Sequence, residues 1–330
     1  MIGKLFIIIF VISLLLSLPG AGSARDEERC AACGKVLSGP IFETQGARYH
    51  ENCFLCDYCR QPIKGSYVEY RGKNYHDFCF QSHIALRCVV CGEIIRGRYL
   101  LDYWGNACHP DHLQTVARCD FCRRFLAGAC TEGMVKLGDG RMLCGICAPS
   151  SVTSEGKARV LMRDVSRELA RHGITVQTSG IDIRLVGEPQ LRSIAGTDNS
   201  DTKGYVDYQV DKNLFGTVTR RRVTIYILAG MPRVQAAGTL AHELMHVWQF
   251  MQGRLHVEKA LSEGSANFAA SLVLSSIGGV EATYSIDMMR QDPDPVYGGG
   301  FRRVQSFVDR EGITAWLDLL RGDKPMVSSF

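Results

Sequence analysis

The sequence predicts an α+β protein in which small, zinc-stabilised, β-rich modules precede a larger domain of strands and helices. The chain has 330 residues, of which 46% are hydrophobic, so it can bury at least one sizeable core. Its 14 cysteines all lie between Cys30 and Cys147, in CxxC pairs interleaved with histidines. The residues after Cys147 contain no cysteine and carry the periodicities of helices and strands. Two kinds of domain are therefore expected.

The first 24 residues are typical of a secretory signal peptide. Lys4 precedes an apolar run from Leu5 to Leu18, and a Pro-Gly break and small residues follow. This run is shorter than the roughly 20 residues that a membrane-spanning helix needs. We therefore expect cleavage near Ala24, export to the periplasm or the medium, and no membrane span in the mature chain. A retained membrane anchor is the alternative.

The charge balance does not indicate a nucleic-acid partner. The formal net charge is only +4, and the one basic run, Arg220 to Arg222, leads into an apolar strand. We expect this run to be a solvated edge rather than a binding patch.

The spacing of the first eight cysteines and histidines predicts two closed tetrahedral zinc sites within residues 25–84. Export would favour disulfides, but CxxC pairs alternating with histidines are typical of zinc ligands. The first set is Cys30, Cys33, His50 and Cys53, and the second is Cys56, Cys59, His76 and Cys79. This arrangement resembles a LIM domain, a double zinc finger whose two sites are joined by a two-residue spacer, here Phe54 and Leu55.

A second, looser module is predicted over residues 85–148. Its two ligand sets are Cys88, Cys91, His109 and His112, and then Cys119, Cys122, Cys144 and Cys147. Cys108 lies beside His109 and could replace it as a ligand. Because closed sites have no open coordination position, we expect about four structural zinc ions in the two modules. The resemblance to LIM domains implies that these modules dock a protein partner or substrate.

A polar segment over 149–157 is expected to link the modules to a domain over 158–330. A helix ending near Gly173 and strands at "GIDIRLVG" and "RRVTIYILAG" are predicted, with a polar loop over 196–216 between the strands. A further helix is expected over 232–253, with an apolar face that includes Leu240, Leu244, Val247, Trp248 and Met251.

The sequence "AHELMH" on this last helix predicts a metal site. His242 and His246 lie one helical turn apart and point away from the apolar face, so both imidazoles can reach one zinc ion. Glu243, directly after the first histidine, is offset enough to act on water rather than on the metal. The alternative is a pair of exposed, solvated histidines.

A catalytic zinc needs a third protein ligand, for which Glu263 and Glu258 compete. We favour Glu263, because Asn267 lies one turn later on the same helix and can hydrogen-bond a ligating histidine. Two histidines and a glutamate on the following helix form the arrangement of the glutamate-type zincins, or gluzincins. The expected fold of the last domain is therefore zincin-like.

The order of these features resembles one known family. A LIM domain, a LIM-like unit, "ILAGMPRVQAAGTLAHELMHVWQFMQG", "SEGSANF" and "DPVYGGGFR" are similar to the plant growth-restricting LIM peptidases, the DA-one-like family. The resemblance covers roughly residues 29–325 and implies a zinc metallopeptidase. Ubiquitin-interacting helices precede the LIM domain in the plant members, whereas an apolar segment stands there in this chain. We therefore expect an exported, bacterial member.

The expected reaction is hydrolysis of peptide bonds in a protein or peptide substrate by a water activated by zinc. His242, His246 and Glu263 would hold the ion, and Glu243 would act as general base and then as proton donor to the leaving amine. Tyr297 is the candidate that stabilises the oxyanion, with a tyrosine packed in a turn as the alternative. The strand over 222–229 could pair with substrate as an edge strand. A LIM-type interaction scaffold with an inactive peptidase domain is the alternative function, and a purely structural zinc domain is another.

Overall fold

The computed structural model describes residues 28–199, 201–213, 215, 218–253 and 258–322. The predicted signal peptide over 1–24 lies outside the described residues, so its cleavage and the export of the chain stay predictions. Within the described residues, no helix combines the length and the apolarity needed to cross a bilayer.

The chain divides into two compact units, one ending at Thr115 and the other beginning at Val116. The division falls inside the predicted second module over 85–148, between its two ligand sets. The third zinc-ligand set therefore belongs to the first unit, and the fourth belongs to the second unit.

The first unit is built from short antiparallel hairpins that carry zinc-type ligands. Each hairpin brings a CxxC pair close to ligands that lie later in the chain, which is why so little regular structure suffices. Its strands are β1 Ile41–Thr44, β2 Ala47–His50, β3 Tyr67–Tyr70, β4 Lys73–His76, β5 Leu100–Leu101 and β6 Ala107–Cys108, with a short helix α1 at Asp77–Cys79. β1 pairs with β2, β3 with β4, and β5 with β6.

An aromatic cluster fills the space between the first two zinc-ligand sets. Phe54, the first spacer residue, is only 4% exposed, and its ring stacks on Phe42 at a centroid distance of 4.7 Å. The Tyr67 ring meets Phe54 edge to face at 4.9 Å. Leu55, the second spacer residue, is exposed. The two-residue spacer thus contributes one core residue and one surface residue.

The second unit contains a zinc-ligand hairpin, a three-stranded sheet and five long helices. The hairpin and the short elements around it are α2 Gly128–Thr131, β7 Met134–Lys136, β8 Met142–Cys144 and β9 Ser151–Val152. The remaining elements are α3 Glu155–Arg171, β10 Ile181–Val186, α4 Glu188–Ala195, β11 Gly204–Lys212, β12 Val218–Leu228, β13 Met231–Pro232, α5 Arg233–Met251, α6 Lys259–Ile277, α7 Val280–Gln291 and α8 Gly298–Arg321. The α+β class expected from the sequence is confirmed.

The sheet has the strand order β10-β12-β11, which corrects two expectations. β12 is parallel to β10 and antiparallel to β11, so it is the central strand. The strand predicted over 222–229 therefore has both edges occupied and cannot pair with substrate. The segment 196–216, expected to be a loop, contains the edge strand β11. Its alternation of Val206, Tyr208 and Val210 with polar residues is the period-two signal that its overall polarity concealed.

The segment predicted as a linker over 149–157 also contains regular structure. Its residues Ser151 and Val152 form β9, which pairs antiparallel with β13 immediately before helix α5. The first turn of α3 begins at Glu155, with the Ser154 hydroxyl accepting a hydrogen bond from the backbone N–H of Lys157.

Helix α5 is buried on most of its circumference rather than on one stripe. Ala237, Ala241 and Met245 are fully buried in addition to the predicted apolar positions, whereas Met251, predicted on the apolar face, is 47% exposed. The helix packs against α6, α3 and the sheet strand β11. The sequence pattern correctly predicted a helix here. It predicted burial of one face only, whereas a helix surrounded by neighbours is buried on several faces.

Helices α6 and α8 approach each other through glycines. A Cβ added to Gly264 would lie 2.3 Å from the carbonyl carbon of Gly300, and one added to Gly300 would lie 2.2 Å from the carbonyl oxygen of Ala260. Backbone contacts of this kind leave no side chain that could move aside. The glycines of "DPVYGGGFR" thus allow α8 to pack on α6 directly beside Glu263.

We expect Gly300→Ala to destabilise the second unit by at least about 1–3 kcal/mol, because the added methyl group meets backbone atoms. Gly299→Ala is the matched control, since its Cβ would lie 3.5 Å from the nearest atom. Alanine has a higher helix propensity than glycine, so the control substitution should be neutral or stabilising. Denaturant unfolding of the zinc-loaded proteins measures the difference. Equal stability of the two variants would contradict the proposed packing.

Candidate metal centre between helices α5 and α6

Two histidines of α5 and a glutamate of α6 bring three ligand atoms together. Nε2 of His242 and Nε2 of His246 lie 3.1 Å apart, and each lies 3.3 Å from Oε2 of Glu263. The three side chains are 13–18% exposed, so the group is neither sealed in the core nor fully solvated. The structure places Glu263, and not Glu258, at this point. Glu258 is exposed at the beginning of α6 and pairs with Arg303 at 3.2 Å.

The spacing of these atoms fits a zinc ion. A tetrahedral zinc with ligand bonds of about 2.0–2.1 Å holds neighbouring ligand atoms about 3.3–3.4 Å apart. The observed separations of 3.1–3.3 Å are close to that value. With three protein ligands, the fourth position of such an ion is open to water or substrate, as in catalytic rather than structural zinc sites.

Amide side chains orient both imidazoles so that Nε2 faces the metal position. Nδ1 of His242 donates to Oδ1 of Asn267 on α6 at 2.9 Å, and Nδ1 of His246 donates to Oε1 of Gln249 on α5 at 2.9 Å. Gln249 is in turn held by Ser262 of α6, whose hydroxyl donates to Oε1 at 3.0 Å and whose carbonyl accepts from Nε2 at 3.1 Å. The Asn267 contact follows the sequence prediction. Gln249 was missed, although its position three residues after His246 on the same helix was a usable signal.

The charges of His246 and Glu263 stabilise each other. Burial opposes protonation of His246, but the hydrogen bond and charge of Glu263 outweigh burial and raise the pKa of His246 to about 9. Burial likewise opposes ionisation of Glu263, yet hydrogen bonds from His242 and His246 hold the pKa of its carboxyl well below the usual range. The glutamate is therefore ionised at neutral pH and available as an anionic ligand.

Glu243 lies beside this group in a buried position. It is 5% exposed, and burial raises the pKa of its carboxyl, with a smaller contribution from the charge of Glu263. The beginning of strand β11 approaches the same carboxylate. A Cβ added to Gly204 would lie 2.6 Å from Oε1 of Glu243 and 2.7 Å from Cγ2 of Thr239. Gly204 is thus required for space and not for an unusual backbone angle, and no local sequence signal identifies it.

Tyr297 lies at the beginning of α8, close to the ligand group. Its carbonyl oxygen accepts a hydrogen bond from Nδ2 of Asn267 at 3.3 Å, so the residue that orients His242 also holds this turn. Burial raises the pKa of the Tyr297 hydroxyl, and the charge of Glu263 adds to the effect. The glycines after Tyr297 serve the contact between α8 and α6.

The remaining sixteen predicted zinc ligands gather into four groups, as their spacing indicates. Within each group the ligand atoms lie within 4.8 Å of one another. The groups are Cys30, Cys33, His50 and Cys53; Cys56, Cys59, His76 and Cys79; Cys88, Cys91, His109 and His112; and Cys119, Cys122, Cys144 and Cys147. All 14 cysteines are free of disulfides.

The chemistry of these groups fits zinc. Nδ1 of His50 faces Sγ of Cys33 at 3.5 Å, while its Nε2 lies 3.1 Å from the carbonyl oxygen of Val36, so the ring has one nitrogen for metal and one for the backbone. In the fourth group, Sγ of Cys122 and Sγ of Cys144 lie 3.6 Å apart, near the roughly 3.8 Å expected around zinc with sulfur bonds of about 2.3 Å. Hydrogen bonding with the other three cysteines raises the pKa of Cys147 far above its usual range. A divalent cation would stabilise all four as thiolates.

Cys108 and His83 are of residue types that bind zinc, but neither belongs to one of the groups. Cys108 is buried, with its Sγ 3.2 Å from the carbonyl oxygen of His109, and it is His109 that faces Cys91. His83 stacks on Tyr58 at 4.3 Å.

Comparison with known proteins supports the two main features of the chain. Residues 30–83 match the LIM domain family, and residues 160–285 match the DA1-like family, described as Protein DA1. The first match contains the first two zinc-ligand groups. The second contains His242, Glu243, His246 and Glu263, whereas Tyr297 lies beyond its end. With its LIM domain and its cysteine and histidine groups, the chain is a zinc-binding protein, and the expectation of zinc as cofactor is confirmed.

Several plant proteins are similar to most of the chain at low identity. Protein DA1-related 2 of Arabidopsis thaliana is 25% identical over 90% of this chain and 69% of its own length. LIM domain-containing protein HDR3 of Oryza sativa subsp. japonica is 24% identical over 90% of this chain and 74% of its own. Protein DA1 of Arabidopsis thaliana is 25% identical over 88% of this chain and 61% of its own length. The matches thus span between 61% and 74% of the length of these relatives.

We expect the zinc-saturated protein to contain five zinc ions per chain, one for each ligand group. His246→Ala removes one of three ligands from the group between α5 and α6 and should lower the content to four. His83→Ala, which alters a histidine outside the groups, is the matched control and should keep five. Elemental analysis of the desalted proteins measures the content. An unchanged content in His246→Ala would contradict a metal site between the helices.

Proposed function

We propose that the chain is a zinc-dependent metallopeptidase with a zincin-like catalytic domain in its second unit. The observation that carries this proposal is the triangle of Nε2 of His242, Nε2 of His246 and Oε2 of Glu263, with sides of 3.1–3.3 Å, beside the buried carboxyl of Glu243. Three ligands with a fourth position open define a site that can activate water. The similarity to Protein DA1 over residues 160–285 contains all four side chains and supports the same assignment.

Zinc in this site would polarise the scissile carbonyl and make the attacking water acidic near neutral pH. Glu243 is the general base that takes the proton from that water and then delivers it to the leaving amine. Burial raises the pKa of Glu243, which favours the protonated carboxyl that forms between these two steps. The amides of Asn267 and Gln249 hold the imidazole rings still during the reaction.

Tyr297 is the side chain that we propose to stabilise the oxyanion. Its raised pKa keeps the hydroxyl protonated at neutral pH, so it can donate a hydrogen bond to a developing negative charge. Asn267 links the backbone of Tyr297 to His242, which sets the tyrosine and the metal ligand in one network.

The proposed substrate is a protein or peptide. With β12 in the centre of the sheet, β11 is the edge strand near Glu243, and its first residue, Gly204, lies against the carboxylate of the base. We therefore transfer the proposed pairing with an extended substrate from β12 to β11. LIM domains mediate protein interactions, so the first unit would dock the substrate or a regulatory partner.

We expect Glu243→Gln to lower peptide hydrolysis by about 10²–10⁴-fold, the usual contribution of a general base, while zinc content stays at the wild-type value. Glu258→Gln is the matched control, because Glu258 is an exposed glutamate paired with Arg303. Hydrolysis of a peptide library by the zinc-saturated proteins, with free and blocked amino termini, measures the effect. Full zinc content without hydrolysis in the unsubstituted protein would favour the alternative, a LIM-type scaffold.

We expect Gly204→Ala to lower kcat by about 10²-fold, the effect of displacing a catalytic group by about 1 Å. The added methyl group would push the Glu243 carboxylate from its position, since it would lie 2.6 Å from Oε1. Gly180→Ala is the control, because a Cβ there meets no atom within 4 Å. Steady-state kinetics distinguish the two variants. Wild-type kcat in Gly204→Ala would show that the base does not occupy this position during the reaction.

A further inference from the structure

The fourth zinc-ligand group, Cys119, Cys122, Cys144 and Cys147, differs from the other three in its surroundings. All four cysteines are buried, and the group belongs to the same compact unit as helix α5. The sequence suggested that it is half of a separate docking module. Its contacts within the second unit indicate a different role.

Three connections join this group to the beginning of α5. The first is a side-chain bond: Nε2 of Gln235, in the first turn of α5, donates to the carbonyl oxygen of Phe121 at 2.9 Å. Phe121 lies directly before the ligand Cys122 and is 3% exposed. The residue next to a zinc ligand is therefore joined to α5 by a single side chain, that of Gln235.

The second connection runs through the strand pair β9 and β13. Ser151, the first residue of β9, donates its hydroxyl to the carbonyl oxygen of the ligand Cys147 at 3.2 Å. Val152 pairs with Met231, and Ser151 pairs with Pro232, the residue directly before α5. Four residues after the ligand Cys147, the chain is thus paired with the residue directly before α5, although the two segments are far apart in the sequence.

The third connection is the buried side chain of Arg141, in the hairpin between β7 and β8. Its Nη2 lies 2.8 Å from a carboxylate oxygen of Asp139 and donates to the carbonyl oxygen of Ala229 at 2.8 Å. Arg141 is 7% exposed, and its guanidinium lies over the Phe121 ring. The ion pair orients the guanidinium within the hairpin, and the hydrogen bond to Ala229 joins the hairpin to the turn before β13.

These connections hold the beginning of α5, which has no side-chain cap of its own. Its N-cap residue is Pro232, and no side chain there accepts a hydrogen bond from the first backbone N–H groups. His242 lies seven residues after Gln235, or about 10 Å along the helix axis. Because these residues lie on one continuous helix and only two turns apart, a displacement of the beginning of α5 would also move the ligands and Glu243.

We propose that zinc bound by Cys119, Cys122, Cys144 and Cys147 is a positioning element of the catalytic domain, which holds the beginning of α5 and so keeps His242 and His246 in place opposite Glu263. The ligand hairpin is too small to hold its shape by a hydrophobic core alone, so it needs the metal to present Phe121 and Arg141. The inference rests on the proposed function only where activity is measured.

The test compares the loss of a ligand in the fourth group with the loss of one in the second group, in the full-length, zinc-saturated protein. Cys122→Ser should lower zinc content by two ions and speed amide hydrogen exchange over residues 231–245, because the site between α5 and α6 is disturbed together with its own. Cys59→Ser, the matched control in the first unit, should lower zinc content by one ion and leave that exchange unchanged. A loss of one ion and unchanged exchange in Cys122→Ser would overturn the proposal.

A second variant keeps all zinc ligands and applies if Cys122→Ser does not fold. Gln235→Ala should retain five zinc ions, speed exchange over the first turns of α5 by roughly fivefold, as expected for one lost hydrogen bond, and lower kcat more than it changes KM. Gln252→Ala, at the exposed end of the same helix, should change none of these. Wild-type exchange in Gln235→Ala would overturn the proposal. Because zinc content and exchange do not depend on turnover, an inactive parent protein would refute the proposed function and leave this inference standing.

Discussion

The approach of one carboxylate oxygen of Glu263 to two imidazole nitrogens is the contact on which the rest of the site depends. Oε2 lies 3.3 Å from Nε2 of both His242 and His246, although the glutamate and the histidines lie on different helices. A shift of one residue along either helix would move a ligand by about 1.5 Å and around the axis by about 100 degrees. The site therefore requires α5 and α6 to hold one fixed register.

The structure holds that register from several sides. Asn267 and Gln249 bond the histidines and, with Ser262, cross between α5 and α6. The glycine contact between Gly264 and Gly300 presses α8 onto α6 at the residue after Glu263. The β9 and β13 pair fixes the chain where α5 begins. These contacts are mostly neutral hydrogen bonds and close packing, which keep their geometry whether or not the ligands carry a proton.

Ligand identity was largely predictable from the sequence, because metal ligands repeat at short intervals along the chain. The cysteine and histidine groups and the pair His242 and His246 follow from such spacing. Glu263 could be preferred over Glu258 because Asn267 lies one turn later on the same helix. Gln249 was also within reach of the same reasoning, since it lies three residues after His246.

Features that arise from contacts between distant segments were not predictable. The central position of β12 depends on β10 and β11 together, and no local pattern distinguishes a central strand from an edge strand of this length. Gly204 and Gly300 are ordinary glycines in the sequence, and only the approach of Glu243 and Ala260 makes them necessary. The contacts that join the fourth zinc group to the rest of the second unit likewise involve Gln235 and Ala229, which lie far from the group along the chain.

The most direct test of the account is anomalous diffraction at the zinc absorption edge from a crystal of the zinc-saturated protein. The account predicts a peak between α5 and α6, about 2.0–2.2 Å from Nε2 of His242, Nε2 of His246 and a carboxylate oxygen of Glu263. Peaks at the four cysteine-containing groups, with no anomalous density between the two helices, would contradict it.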